Sequence, residues 1–283
     1  MRTVRTVAEL REELASKRRS GRTIGLVPTM GAFHEGHLSL MRAAREATDI
    51  VVVSLFVNPT QFGPNEDLGA YPRDEAADAA MAEEQGADIL FAPPVEEVYP
   101  DGFDTSVKVE GVTEVLCGEH RGREHFDGVT TVVAKLFNMA QPDVAFFGQK
   151  DAQQALVIRR MVRDLDMPVR IEVCPTVRES DGLALSSRNA YLDTAARERA
   201  TALNRALSAA DDTVRAGERD ASAVLAAARA QLSAAGVEPE YLELRSTDTL
   251  QPVERVNGST LLAVAARVGR ARLIDNAILG GAE

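Results

Sequence analysis

A chain of 283 residues is long enough for one large domain or two of ordinary size, and either can bury a substantial core. Its formal charge of −11 excludes a general nucleic-acid surface, which needs a basic face, and no apolar run approaches the ~20 residues that span a bilayer. A small anionic ligand stays compatible, because a few convergent cations make a positive pocket even on an acidic protein.

The opening stretch "MRTVRTVAELREELASKRRSGRT" mixes charge with a helical apolar pattern and lacks the continuous apolar core of a secretory leader. A cytoplasmic protein is therefore expected. Next come two strands, 23–29 "TIGLVPT" and 50–57 "IVVVSLFV", around a helix that starts near Gly36 and carries Leu38, Leu40, Met41 and Ala44 on one face. Further strands are expected at 88–92, 143–148 and 169–174, and helices at 74–86, 129–140 and 152–165. Alternation of this kind, with near-continuous apolar strands, is the pattern of a parallel sheet covered on both faces. The two cysteines, Cys117 and Cys174, lie in unrelated contexts without CxxC or Cys/His spacing, and reduced, partly buried thiols are expected.

After about residue 178 the composition shifts. Residues 193–235 are Ala-rich and helical, in two segments broken at "RAGERD", and short strands follow in "EYLELRS", "TLLAVAAR" and "RLIDN". The fold class expected is α/β: a doubly wound, Rossmann-like parallel sheet over 1–177, with a second, smaller α+β domain over 178–283 closing over the site. A cleft between the two is a natural place for a ligand.

In an open α/β sheet, ligands gather at the carboxyl ends of the strands. Unusual segments follow three such ends: "PTMGAFHEGH", "NPTQFGPNEDLGAYPR" and "GQKDAQQ". A fourth, "RESDGLALSSRN", enters the second domain. In "HEGH" a helix amino terminus offers unpaired N–H groups to phosphate, Gly36 admits a close backbone approach, and His34 and His37 can donate to phosphate oxygens as charge grows on them. An isolated HxGH is equally compatible with two exposed polar residues at a turn, and zinc would need further ligands at a supporting spacing. Lys150 can carry a charge to phosphate, with Asp151 on the ribose or a metal-bound water; the plainer reading is a solvated pair opening a helix. Ser186, Ser187 and Arg188 can surround a leaving pyrophosphate or merely cap a helix. Gln61 and Gln154 suit a hydroxylated carboxylic acid, or are surface amides. No P-loop, GxGxxG after a strand, or GxSxG elbow is present.

Together these segments carry a resemblance. "PTMGAFHEGHLSL", "SLFVNPTQFGPNEDLGAYPR", "KLFNMAQPDVAFFGQKDAQQ" and "DGLALSSRNAYL" resemble, in order and spacing, the motif blocks of the bacterial pantothenate synthetase family, the pantoate–β-alanine ligases. "TLLAVAARVGRARLIDN" resembles the family's carboxyl end. HxGH alone points only to the wider nucleotidyltransferase superfamily. The resemblance implies a two-step ligation in which ATP and (R)-pantoate form pantoyl adenylate and pyrophosphate with Mg²⁺ assisting, and β-alanine then displaces AMP to give pantothenate for coenzyme A synthesis. It further implies a homodimer.

Residue by residue, the implied ATP-binding stretch is Met30, Gly31, Ala32, Phe33, His34, Glu35, Gly36 and His37, with His37 as catalytic acid and His34 beside it. Further ATP contacts fall on Gly148, Gln149, Lys150 and Asp151, on the Val177 backbone, and on Leu185, Ser186, Ser187 and Arg188. Gln61 and Gln154 are the implied pantoate residues, Gln61 also lying near β-alanine; no residue is assigned to metal. The stretch 61–73, with three Gly/Pro breaks, is a candidate lid against water. One departure stands out: "RGREHFDGV" lacks a proline usual in the family and is one residue longer, so no role is assigned to Arg121 or His125. Two alternatives remain at this level: a related adenylyl- or cytidylyltransferase that leaves the nucleotide on its product, and a non-catalytic nucleotide-binding protein.

Overall fold

The architecture was taken from a computed structural model, which describes residues 1–63, 68–69 and 71–280. Its chain forms two compact units, Met1–Gly148 with Gln153–Pro175, and Gln149–Ala152 with Thr176–Glu283. The sequence pattern places Gln149–Ala152 and residues 176–177 with the first unit instead. Gln149 and Lys150 are tied to the second by the side chain of Asn276, which hydrogen-bonds their carbonyls, and Val177 by the Leu185 N–H.

In the first unit, β1 (Arg2–Val4) leads to α1 (Val7–Arg19), which Thr6 and Glu9 start with a reciprocal capping box. Then come β2 (Ile24–Thr29), α2 (Glu35–Ala47), β3 (Ile50–Leu55), α3 (Glu75–Glu84) and β4 (Ile89–Phe91). Two short helices, α4 (Val95–Val98) and α5 (Cys117–Arg121), precede the long α6 (Arg123–Ala140). The unit ends with β5 (Val144–Gly148), α7 (Ala152–Asp164) and β6 (Arg170–Cys174).

The six strands pair in parallel in the order β1-β4-β3-β2-β5-β6. Successive strand residues feed opposite layers, which explains the continuous apolar runs. Ile50 and Val52 of β3 pack with Leu10, Leu14 and Val133, whereas Val51 and Val53 pack with Met41, Ala44 and Ala82. At about 1.5–3 kcal/mol for each fully buried aliphatic side chain, both layers contribute heavily to holding the sheet against its helices. The strand order reverses between β2 and β5, so this is the sheet's topological switch point.

Besides the short helices α4 and α5, which the pattern does not announce, two elements differ from it. β1 went unexpected because only Val4 of its three residues is buried. Helix α6 begins six residues before the expected start at 129, running through Gly128, whose presence has a packing reason: a Cβ there would stand 2.5 Å from the Thr60 carbonyl oxygen.

The second unit holds α8 (Thr194–Ala200), α9 (Ala202–Arg215) and α10 (Ala221–Ala234), then an antiparallel sheet of β7 (Pro239–Ser246), β8 (Thr260–Val268) and β9 (Ala271–Leu279) in the order β7-β8-β9. One core runs through Leu203, Leu207, Val224, Leu232, Leu262 and Val264. The expected break at "RAGERD" separates α9 from α10; a second break, at Thr201, carries no Gly or Pro to announce it. A doubly wound parallel sheet with a smaller α+β unit is thus what the chain forms. Cys117 and Cys174 are buried, and neither is in a disulfide. Among the described residues no helix is long and apolar enough to cross a membrane. The lid expected within 61–73 falls partly on 64–67 and 70, outside the described residues.

Candidate active site

The first unit builds its site where β2 hands over to α2. Gly31 takes φ +88°, and a Cβ there would lie 2.8 Å from Leu55 and 2.9 Å from the Asp78 carboxylate. Ala32 follows at φ +52°, a left-handed conformation that a residue with a side chain adopts only under constraint. Asp78 of α3, 2% exposed, supplies the constraint: its two carboxylate oxygens accept the Ala32 N–H at 2.9 Å and the Phe33 N–H at 2.7 Å.

Burial is the larger influence on Asp78 and raises its carboxyl above the usual aspartate value, and the two N–H bonds oppose it. A carboxyl raised by folding favours the folded state fully below the ordinary aspartate range, and that contribution is lost as pH rises through the raised value. Ionised Asp78 therefore weighs against stability at neutral pH while ordering the turn. In Asp78→Ala, each orphaned N–H costs about 1–3 kcal/mol, partly offset by removing the buried carboxylate. The expected result is a net stability change of about 2 kcal/mol or less in urea unfolding, with pyrophosphate exchange down about tenfold or more.

Helix α2 starts at His34, whose extended backbone makes it the N-cap. The His34 Nδ1 accepts the Gly36 N–H at 3.2 Å, and the His37 Nδ1 accepts the His34 N–H at 3.3 Å. Two histidines thus perform the reciprocal capping usually done by Ser or Thr with Glu. With each Nδ1 accepting from the backbone, the neutral tautomer carries its proton on Nε2, so each ring presents an N–H donor on its far edge. The rings lie 4.1 Å apart, both partly exposed, at a helix amino terminus beside the switch point. Glu35 is exposed and turned to Arg42.

Met30 is joined to this turn and to Gln61: the Gln61 Nε2 donates to the Met30 Sδ at 3.1 Å. Gln61 is oriented from behind by Asn58, 1% exposed, whose Nδ2 donates to the Gln61 Oε1 and to the Gly128 carbonyl, both at 3.1 Å. The Tyr99 hydroxyl donates to the Asn58 Oδ1 at 2.8 Å, and burial raises that phenol above its usual value. His125 adds a backbone hold, its Nδ1 lying 2.8 Å from the Gln61 carbonyl oxygen while Arg121 lies 3.0 Å from its Nε2. The departing "RGREHF" segment therefore still delivers both side chains to the Gln61 turn. In α7, Gln153 is the buried glutamine, bonded to Cys117, Val112 and Val115, and Gln154 is partly exposed. Gly148 ends β5, also partly exposed.

The second unit gathers the remaining predicted residues. Gln149, Lys150 and Asp151 form one 3-10 turn. Lys150 is 21% exposed, and its Nζ lies 3.8 Å from Asp151, an ion pair longer than a hydrogen bond. Residues 177–185 fold back on themselves, with the Leu185 N–H on the Val177 carbonyl and a bridge from Arg178 to Ala184. Val177 can then meet a ligand through its N–H. Arg197 pairs with Glu179 and holds that carboxyl below the usual glutamate range. Ser186 does cap the following turn, accepting the Arg188 N–H at 3.3 Å, which leaves its O–H as a donor. Ser187 and Arg188 are partly exposed in that turn.

Sequence reading misses Asn58, Asp78, Arg178 and Asn276 as residues that build these turns, and it leaves His125 without a role. Asp78 had a signal, standing one helical turn before Ala82 on the buried face of α3. Asn58 had another in the turn-forming "NP".

A parallel sheet with a His-x-Gly-His helix start at its switch point defines the class, an α/β protein of the HxGH nucleotide-handling type. The chain belongs to the pantoate-beta-alanine ligase family, whose family model matches residues 2–278. It is 55% identical to the pantothenate synthetase of Moorella thermoacetica over 99% of both chains. With that of Cereibacter sphaeroides it shares 57% identity, over 96% of this chain and 98% of the relative. The crystal structure of pantothenate synthetase from Thermus thermophilus superimposes with a TM-score of 0.93 at 49% identity, covering 98% of this chain and 99% of that one. A pantoate-beta-alanine ligase from Francisella tularensis, solved with a β,γ-ATP compound and β-alanine, gives 0.79 at 32% identity, covering 98% and 97%.

Proposed function

We propose that this protein joins (R)-pantoate to β-alanine, using ATP and releasing AMP and pyrophosphate. Family membership over nearly the whole chain supports the reaction, and the observation that carries the chemistry is the paired, mutually capped histidines with Nε2 donors at the start of α2.

In the first step a pantoate carboxylate oxygen bonds to the α-phosphorus and the bond to pyrophosphate breaks. Both partners are anions, so donors and cations must offset their repulsion. His34 and His37 donate from Nε2 to the phosphoryl oxygens, Lys150 supplies a positive charge, and Ser186, Ser187 and Arg188 receive the leaving pyrophosphate. Gln61 and Gln154 hold pantoate, with the Gln61 amide fixed by Asn58 and Met30. In the second step the β-alanine amine attacks the acyl carbon and AMP departs.

Among the described residues no three His, Cys, Asp or Glu side chains form a metal-binding group. Magnesium would be carried by the ATP phosphates and water, with the half-exposed Asp151 able to hold a metal-bound water. When bound, it neutralises charge on the phosphates. The same reading makes the protein a cytoplasmic homodimer.

The test is ATP–pyrophosphate exchange without β-alanine. Exchange that requires pantoate, followed by AMP release when β-alanine is added, is expected. ADP formation, or exchange indifferent to pantoate, would sink the proposal; a nucleotide left on the product would indicate the related transferase chemistry instead.

A further inference from the structure

Resting on the roles just proposed for Lys150 and the 177–188 loop, we infer that Asp275 and Asn276 are positioning residues that lock these two ATP-handling segments into one fixed arrangement. They are adjacent on β9, so their side chains leave opposite faces of the strand and can grip two different segments.

Asn276 is 5% exposed. Its Nδ2 donates to the carbonyls of Gln149 and Lys150, each at 2.9 Å, and its Oδ1 accepts from the Gln149 Nε2 at 2.9 Å. Those two carbonyls flank the Lys150 Cα, so one side chain brackets the backbone from which the lysine projects.

Asp275 is 3% exposed and grips the other segment. Its carboxylate accepts Arg178 in a two-pronged pair at 2.6 and 3.0 Å, and also accepts the Asn276 N–H at 2.8 Å. The same guanidinium donates to the Gly182 carbonyl at 3.1 Å, across the fold-back that carries Val177 and Leu185. Buried polar groups are costly unless fully bonded, and once bonded they are directional in a way that apolar packing is not. A carboxylate at 276 could not serve: it would set anionic oxygens against the two carbonyls.

The charge of a lysine helps phosphoryl transfer only where it is correctly placed, and an error of about 1 Å costs about a hundredfold in rate. Asn276→Ala is therefore expected to slow pantoate-dependent pyrophosphate exchange about thirtyfold or more. Pantothenate formation from supplied pantoyl adenylate and β-alanine, where no pyrophosphate leaves, should stay within about threefold of wild type. The double variant Lys150→Ala/Asn276→Ala should be no slower than Lys150→Ala, because a misplaced side chain matters only while it exists. Asp275→Asn, which weakens the grip on Arg178, should raise the KM for ATP about tenfold with little change in the KM for β-alanine. Thermal unfolding of each variant establishes that it is folded, and Asn276→Ser, which keeps a hydroxyl donor, takes the place of the alanine variant if that one is not. Exchange within about threefold of wild type in a folded Asn276 variant, or an equal loss in both half-reactions, overturns the inference. If Lys150→Ala itself leaves exchange intact, it is the proposed role of Lys150 that fails, a result separate from the behaviour of Asn276.

Discussion

Lys150→Ala is expected to slow pantoate-dependent pyrophosphate exchange about a thousandfold, with pantoate affinity within about twofold of wild type. Two unit negative charges 4 Å apart repel by about 4 kcal/mol at an effective dielectric near 20, so one well-placed cation changes the barrier by a comparable amount. The structure suits Lys150 to that task. Its side chain is mostly buried, its partner Asp151 is too distant for a hydrogen bond, and its backbone is held by Asn276 without help from the ammonium group. Truncation should thus remove the charge and leave the turn in place, with a melting temperature close to wild type. Lys150→Arg should not restore the rate, since a planar fork cannot replace a compact point charge on the same stem. Exchange kinetics with a pantoate titration decides the matter, and an unchanged exchange rate would refute the assigned charge.

The second large effect concerns the histidines, where fold and chemistry can be separated. Asn is as good an N-cap as any residue, so His34→Asn keeps an acceptor for the Gly36 N–H and should leave stability within about 0.5 kcal/mol. It removes the Nε2 donor, for which a loss of about a hundredfold or more in exchange is expected. His37→Ala removes both a donor and the acceptor for the His34 N–H, so it should lose activity to a similar or greater degree and about 1 kcal/mol of stability besides. Urea unfolding read beside exchange kinetics distinguishes the two. If His34→Asn is fully active, the ring at 34 serves only the helix.

What could be read from the chain followed physical lines. β3 was legible because both its faces are covered, which leaves an unbroken apolar run. The HEGH turn was legible only in company: an isolated HxGH is equally compatible with two exposed polar residues, and "GQKD", "LSSR" and the two glutamines made the phosphate reading preferable. Asp78 was hidden because "DEAADAAMAEE" reads as a solvated acidic helix, and only its position one turn before Ala82 marks it as buried. Asn276 was hidden for a different reason: it acts through Gln149 and Lys150, 127 and 126 residues away, and no local pattern encodes such a pairing, just as none encodes the hold of Asn58 on Gly128 70 residues away. The tautomer of the histidines likewise depends on which backbone N–H each ring meets, a matter of three dimensions.

The four residues Gln149–Ala152 lie in the chain between β5 and the body of α7 from Gln153 on, both of one unit, yet they fold with the other. Cutting the chain once, at any peptide bond, therefore cannot yield both units whole. A translation product that stops before β9 would keep the sequence of the parallel sheet and both histidines but lose Asn276, which grips a turn 127 residues upstream, together with one strand of the three-stranded sheet and its buried Leu273 and Leu279. Such a fragment would lose adenylate formation along with the core of its second unit, although every residue assigned to contact ATP would still be in it. Clipping by a protease near the carboxyl end is expected to have the same signature, so the last strand bears on the reaction through the turn it holds rather than through any residue assigned to ATP.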